Sequence, residues 1–249
     1  MALPAPFALV DFDTVASTND EAMRLAGQGV PAWTVVRAVS QSAGRGRRGK
    51  SFASPAGNSY TSFILRPQGG PERAAQIALV AGLAVAEAID LQAPDLPRPQ
   101  CKWPNDVLVG AHKVCGILVE ASSSGENVDH VIVGIGINLV SHPEIPGHRI
   151  ADLAHLGAPG IGRDAMLASL AGRLHARCQL WQTGGFAALR AAWLDRAAGL
   201  GRMVRIEDGP RILSGQLRDI DEEGALVLIG PGTARQRVVS GSLFLEDAA

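Results

Sequence analysis

The stretch from Pro71 to Leu91 constrains the fold most. It begins with a proline at the first helical position, carries a long Ala/Leu/Val stripe, and runs into a segment broken by Pro94, Pro97 and Pro99. This reads as one long apolar helix, and Glu72, Arg73, Glu87 and Asp90 within it argue against a bilayer span. Strand-like runs flank it on both sides: Trp33 to Ser40 and Tyr60 to Leu65 before it, then Asp106 to Val109, Val114 to Glu120 and Val128 to Ile137. The short Gly110-Ala111-His112 connection makes the first two of the later runs a hairpin. Further helices fit Thr18 to Ala26, Arg163 to Trp181 and Phe186 to Ala198. Thr18 with Glu21 three residues on fits a capping box for the first of them.

After Gly199-Leu200-Gly201 the texture changes. Short β-like runs (Met203 to Ile206, Ile212 to Ile220, Ala225 to Ile229, Arg235 to Val239) alternate with turn signals such as Asp208-Gly209-Pro210 and Gly230-Pro231-Gly232. The expected architecture is therefore α+β: a mixed sheet flanked by helices over residues 1–198, with a small β-barrel over residues 199–249.

Composition closes off other classes. The chain has 249 residues, 47% hydrophobic and 19% charged, which suits folded domains and not a disordered chain. The N-terminus has no basic n-region and turns acidic at Asp11, so it does not read as a secretory signal. Cys101, Cys115 and Cys178 form no CxxC pair and read as reduced thiols of a cytoplasmic protein. The six histidines show no metal spacing; His142 to His148 is a Pro-rich loop, and each histidine reads as a surface residue.

Charge is uneven. Formal net charge is −1, yet no acidic residue occurs between Glu21 and Glu72, where Arg24, Arg37, Arg45, Arg47, Arg48, Lys50 and Arg66 all fall. Such a window is either a solvated basic loop or an anion site. Gly44 to Ser51 matches the phosphate-loop pattern G-x-x-x-x-G-K-[ST] letter for letter. That motif must open a helix, and Pro55 and Gly57 would break one within a turn, so the P-loop reading fails. Gly134-Ile135-Gly136 is followed by Leu139 at the sixth position, so the dinucleotide fingerprint fails too. Nucleic-acid binding finds only Phe52 and Tyr60 near the basic run, too few for a stacking platform.

Four polar patches interrupt apolar elements: Ser17-Thr18-Asn19, Gln41 with Gly44 to Gly49, Lys102-Trp103-Pro104-Asn105-Asp106 with Lys113, and Asn138. Each stands at the end of an expected element, which points to one shared cleft. In this order, with Lys113-x-x-Gly116-Ile117-Leu118-Val119-Glu120 and Gly134-x-Gly136-Ile137-Asn138, the blocks closely resemble the bacterial biotin–protein ligases. The resemblance runs from about Asp11 to the C-terminus, and GRGRRG together with KWPND makes it specific. It implies a ligase that joins biotin and MgATP into biotinyl-5′-AMP and then transfers biotin to a lysine of a biotin carboxyl carrier domain. It also implies that the C-terminal barrel is SH3-like, that the chain is the monofunctional type without a DNA-binding domain, and that a homodimer stays open, since the family contains monomers and dimers. A lipoate or octanoate ligase shares the catalytic fold but does not resemble the GRGRRG block.

The resemblance implies roles as well. Lys113, bridging carboxylate and α-phosphate, and Arg47, in the covering loop, would be catalytic. Ser17, Thr18, Asn19, Gln41, Arg45, Gly46, Arg47, Lys113 and Gly116 would bind biotin, the hydroxyls and amides among them matching the ureido ring. Arg48, Phe52, Lys102, Asn105, Asp106 and Asn138 would bind the nucleotide, with Asp106 on Mg2+. Phe52 stands where some relatives have Trp, which keeps a stacking face and loses an N–H donor.

Overall fold

A computed structural model describes residues 3–124, 127–230 and 234–245. The chain runs β1 (Ala8–Val15), α1 (Thr18–Gly27), β2 (Thr34–Gln41), β3 (Ser59–Leu65), α2 (Pro71–Gln92), β4 (Gln100–Lys102), β5 (Asp106–Val109), β6 (His112–Ser124), β7 (Asn127–Ile137), α3 (Arg163–Gly184) and α4 (Ala187–Leu194). The remainder is β8 (Met203–Asp208), β9 (Arg211–Ile220), β10 (Leu226–Ile229), β11 (Arg235–Val238) and β12 (Ser242–Leu245).

The first seven strands form one mixed sheet in the order β1-β2-β3-β7-β6-β5-β4, parallel only between β1 and β2. Its two faces are sorted by the period of two along each strand. Val35, Phe63, Leu65, Val131 and Val133 join the main core with α2 and α3. Val36, Ile64 and Ile132 point the other way, onto Ala22 and Ala26 of α1. By length and composition α2 could cross a membrane over the window Arg73–Gln92, contrary to the expectation that its charges exclude a span. It packs against α3 and the sheet with most of that window buried, which is the situation of a core helix. Cys101, Cys115 and Cys178 are buried and unpaired, and burial pushes the thiols of Cys101 and Cys178 up to about 12.

The capping-box expectation at α1 is corrected. The helix begins at Thr18, Ser17 occupies the cap position without a side-chain capping bond, and its carbonyl accepts the Glu21 N–H at 3.2 Å. The Thr18 hydroxyl turns instead to Gln41, and Glu21 pairs with Arg24. The Thr18 side chain that could cap is thus drawn into a network facing the cleft, while Glu21 stays on the exposed side of the helix.

The C-terminal strands form a five-stranded antiparallel sheet, β11-β10-β9-β8-β12. It is not a closed barrel, which corrects the expected barrel. Among the described residues β11 and β12 do not pair. Gly241, at φ 136°, carries the chain past β11 so that β12 lies along β8. The sheet leans on the body: Trp103 Nε1 donates to the Gly224 carbonyl at 3.1 Å, Arg190 donates to the Ile220 carbonyl at 2.6 Å, and the two units share one apolar cluster.

Candidate active site

The floor of the site comes from strand registry. Gly136 on β7 stands between Tyr60 on β3 and Gly116 on β6, and Gly134 stands between Ser62 and Leu118. Three glycines on one face of two adjacent strands, β6 and β7, leave a bare patch of sheet. The ring of Phe52 lies on it: a Cβ at Gly136 would come within 2.5 Å of that ring, and one at Gly116 within 3.2 Å. Phe52 also meets Tyr60 edge-on with centroids 6.4 Å apart.

A polar wall closes one side. Gln41 Oε1 accepts from the Thr18 N–H at 2.8 Å and the Thr18 hydroxyl at 3.1 Å, while its Nε2 donates to Ser54 Oγ at 2.7 Å. Ser62 Oγ lies 2.6 Å from Asn19 Oδ1 and 2.8 Å from Thr18 Oγ1. Asn19 Nδ2 donates to Glu120 Oε2 at 2.7 Å. Ser17, Thr18 and Asn19 are all buried. Hydroxyls and amides gathered beside an apolar floor suit a small ligand with several hydrogen-bonding atoms.

The basic string folds back on itself as a hairpin. The Gly46 N–H donates to the Lys50 carbonyl at 2.7 Å, Arg45 bridges Ser51, and a single short turn spans Arg47–Gly49. No helix follows, so the literal phosphate-loop string lacks the element that motif requires. Each arginine is held differently. Arg45 pairs with Asp20 at 2.5 Å and Glu120 at 3.1 Å. Arg47 donates to Asn105 Oδ1 at 3.2 Å and to the Gly241 carbonyl at 3.3 Å. Arg48 reaches Asp208 of β8 at 2.5 Å. The loop therefore spans from α1 to the C-terminal sheet.

Floor and polar wall belong to one cleft of about 1240 Å³. Arg45, Arg47, Arg48, Lys50, Lys102, Lys113, Arg149 and Arg202 line it, and Asp106 is its one carboxylate among the described residues. Lys113 Nζ lies 2.6 Å from Asp106 Oδ1 and would sit 3.4 Å from a Cβ at Gly116, so its ammonium stands at the edge of the glycine floor. Its backbone is clamped: the Lys113 N–H donates to the Arg149 carbonyl at 2.8 Å and its carbonyl accepts the Ala151 N–H at 3.0 Å. Burial, aided by repulsion from Lys113, pushes the Lys102 ammonium below its ordinary range against the pull of Asp106. Burial and then Arg48 push Arg47 down in the same way, opposed by Asp106 and Asp208. Cations crowded into a partly dry cleft favour an anionic ligand.

The sequence-selected residues Ser17, Thr18, Asn19, Gln41, Arg45, Gly46, Arg47, Arg48, Phe52, Lys102, Asn105, Asp106, Lys113, Gly116 and Asn138 all line this cleft. Two are already engaged in bracing it. Asn105 Nδ2 donates to the Ile117 carbonyl at 2.8 Å, and the buried Asn138 donates from Nδ2 to the Ala151 carbonyl at 3.1 Å. The sequence assigned no role to Tyr60, Gly134 or the β12 residue Phe244, which also line the cleft, the Phe244 ring 5.7 Å from Lys102 Nζ, nor to Ser62 and Glu120, which hold Asn19. For Tyr60, Ser62 and Gly134 the period-two alternation was the available signal; Phe244 had none. The surface reading of the histidines also fails in part. His130 is buried, with Nε2 3.1 Å from Met23 Sδ, and His142 and His155 converge on Asp152.

Comparisons with known proteins bear on the whole chain. A model of the Biotin/lipoate A/B protein ligase family matches residues 12–138, and one of the Biotin protein ligase C terminal domain matches residues 199–245. The chain is 42% identical to the biotin–[acetyl-CoA-carboxylase] ligase of Paracoccus denitrificans, over 92% of this chain and 96% of that protein. It is 32% identical to the bifunctional ligase/repressor BirA of Bacillus subtilis, over 88% of this chain and 69% of that one. Among solved structures, a biotin protein ligase from Aquifex aeolicus in complex with biotin and ATP superposes with a TM-score of 0.81 at 28% identity, covering 96% of this chain and 99% of that chain. With its glycine floor, its cationic cleft and these relatives, this chain is a ligase and belongs to the biotin protein ligase family.

Proposed function

We propose that the chain condenses biotin with ATP to biotinyl-5′-AMP, releasing pyrophosphate, and then transfers the biotinyl group to a lysine of a biotin carboxyl carrier domain. The observation that carries this reading is the position of Lys113. Its ammonium stands where the bare glycine floor meets the cation-lined cleft. A carboxylate leaving the floor and an α-phosphate entering from the cleft would both meet it. Two anions must approach for the anhydride to form, and a fixed cation between them lowers that repulsion as charge grows in the transition state.

The remaining roles follow from placement. Ser17, Thr18 and Gln41, with Asn19 behind them, meet the ureido ring, and Gly116 gives it close approach to the strand. Arg45, Gly46 and Arg47 cover the intermediate. Arg48, Phe52, Lys102, Asn105, Asp106 and Asn138 face the nucleotide. One carboxylate without an oxygen cage around it suits a Mg2+ that arrives on ATP, with Asp106 as its protein ligand; the ion would neutralise phosphate charge. Residues 1–198 act as the catalytic unit and residues 199–249 as a smaller unit that lends Phe244 to the cleft and holds Arg48 through Asp208. ATP use and three free thiols go with the cytoplasm. The test is pyrophosphate exchange into ATP, followed by labelling of a purified carrier domain. Exchange that requires biotin, and is not supported by lipoate or octanoate, supports the reading. Exchange with lipoate in place of biotin would overturn it.

A further inference from the structure

Away from the cleft floor, three metal-ligating side chains meet where sequence spacing gave no hint of it. His142 follows β7, while Asp152 and His155 lie on one turn ten and more residues later. His142 Nδ1 is 2.7 Å and His155 Nδ1 2.8 Å from the same oxygen, Asp152 Oδ2. All three residues offer a ligand atom within 4.8 Å of the others. Asp152 is fully buried, and its second oxygen accepts the His155 N–H at 2.9 Å, which fixes the plane of the carboxylate. His142 is partly exposed and borders a shallow hollow shared with Glu144 and His148; the His155 side chain is 68% exposed.

Burial pushes the Asp152 carboxyl up, but the hydrogen bonds from His142, the His155 N–H and the His155 ring outweigh it and hold the group below the ordinary carboxylate range. That carboxylate lies deep in the protein, with both oxygens held by His142 and His155. A buried charge of that kind calls for a counter-charge. Two imidazole nitrogens and one carboxylate oxygen form the donor set of a four-coordinate transition-metal site with one position left to solvent. Bonds of about 2.0–2.2 Å would set the ligand atoms about 3.3–3.5 Å apart. The two contacts at Asp152 Oδ2 then need to open by roughly 0.6 Å, a side-chain adjustment open to the exposed His155.

We propose that His142, Asp152 and His155 form a binding site for a divalent transition ion of the zinc class, separate from the nucleotide cleft. The His155 N–H bond to Asp152 supplies the outer support that orients a metal-binding carboxylate. The ion would pin the segment that clamps Lys113, because Arg149 and Ala151 hold both backbone groups of that lysine.

The test uses the full chain, stripped with chelator and dialysed, and Co2+ alone as the probe. One equivalent of Co2+ should give the intense visible bands of a low-coordinate nitrogen and oxygen site, and Zn2+ should bleach them. His155→Ala and His142→Ala should each lose these bands. Asp106→Asn, which alters the carboxylate of the nucleotide cleft, should keep them. Saturating Zn2+ should raise the Tm of the wild type by about 5 °C and leave His155→Ala unmoved. His155 is exposed, so its variant should fold, and circular dichroism checks that. Wild-type protein that takes up no Co2+ or Zn2+, or His155→Ala that binds as well as wild type, would overturn the proposal. Neither readout depends on ligase activity, so failure here leaves the proposed reaction standing.

Discussion

Gly134→Ala is the sharpest probe of how the floor of the site is built. A Cβ at position 134 would fall 2.1 Å from Asn19 Oδ1 and 2.8 Å from its Cγ, so the amide must leave. Asn19 is buried and holds two short bonds, to Ser62 at 2.6 Å and to the Glu120 carboxylate at 2.7 Å. Losing a neutral bond of about 1 kcal/mol and a charge-assisted one of about 1.5–3 kcal/mol gives a cost of roughly 2–4 kcal/mol. For a chain of this size that is a fall in Tm of roughly 5–15 °C. Gly116→Ala provides the contrast: its nearest neighbours, at 3.2–3.5 Å, are the Phe52 ring and the end of the Lys113 side chain, which can give way. Its effect on stability should stay within about 0.5 kcal/mol, while the added methyl on the floor raises the biotin KM. The decisive measurement is a double-mutant cycle by chemical denaturation. In an Asn19→Ala background the clash is already gone, so Gly134→Ala should cost at least about 2 kcal/mol less there than in the wild type. Equal costs in the two backgrounds would show that Asn19 is not what the glycine makes room for, and the reasoning would fail.

Lys113→Ala should lower biotin-dependent pyrophosphate exchange by at least ~10²-fold while biotin still raises Tm, because the polar wall is untouched; near-normal exchange would remove Lys113 from the reaction. Arg47→Gly removes the contacts to Asn105 and Gly241 and loosens the loop, so the adenylate should escape roughly 10- to 150-fold faster; the assay is biotinylation of a lysine-rich bystander protein without carrier, which wild type should leave almost unlabelled. Lys102→Met should raise the Tm of the ligand-free protein by a few degrees (about 2–6 °C) while raising the KM for ATP, since it removes a partly buried cation whose desolvation Asp106 only partly offsets. The sign of its pH dependence is fixed. The folded pKa of Lys102 lies below its unfolded value, so the unfolded chain binds the proton more tightly and the penalty is full at neutral pH. The wild type should therefore close its stability deficit against Lys102→Met as pH rises through the folded pKa towards 10.5 in denaturant titrations, and a constant or widening deficit would contradict the burial of that ammonium.

What could be read in the sequence divides along physical lines. The long helices and the strands from Thr34 to Ile137 were legible because burial imposes a period there, as in Val35, Phe63 and Val133 against Val36, Ile64 and Ile132. β1 was missed because it is a largely exposed edge strand with Asp11 and Asp13 on it, and three-residue β4 because prolines crowd its approach. The open C-terminal sheet was expected to close because strand count says nothing about which edge the last strand joins; that depends on one turn at Gly241. Within the site, side-chain chemistry was visible and mutual geometry was not. The hydroxyls and amides of Ser17, Thr18, Asn19 and Gln41 announce hydrogen bonding, but only the folded chain shows that Asn19 faces Gly134 and Glu120 while Thr18 gives up its capping role to Gln41. The same limit hid the histidines. His142 and His155 have no ligand spacing along the chain, since what joins them is the return of residues 150–155 onto the end of β7 through Asn138, and that return is the one that clamps Lys113. The segment with the least regular structure is thus the one that fixes the backbone of the central cation, so loosening it, even far from the cleft, should act on Lys113 first.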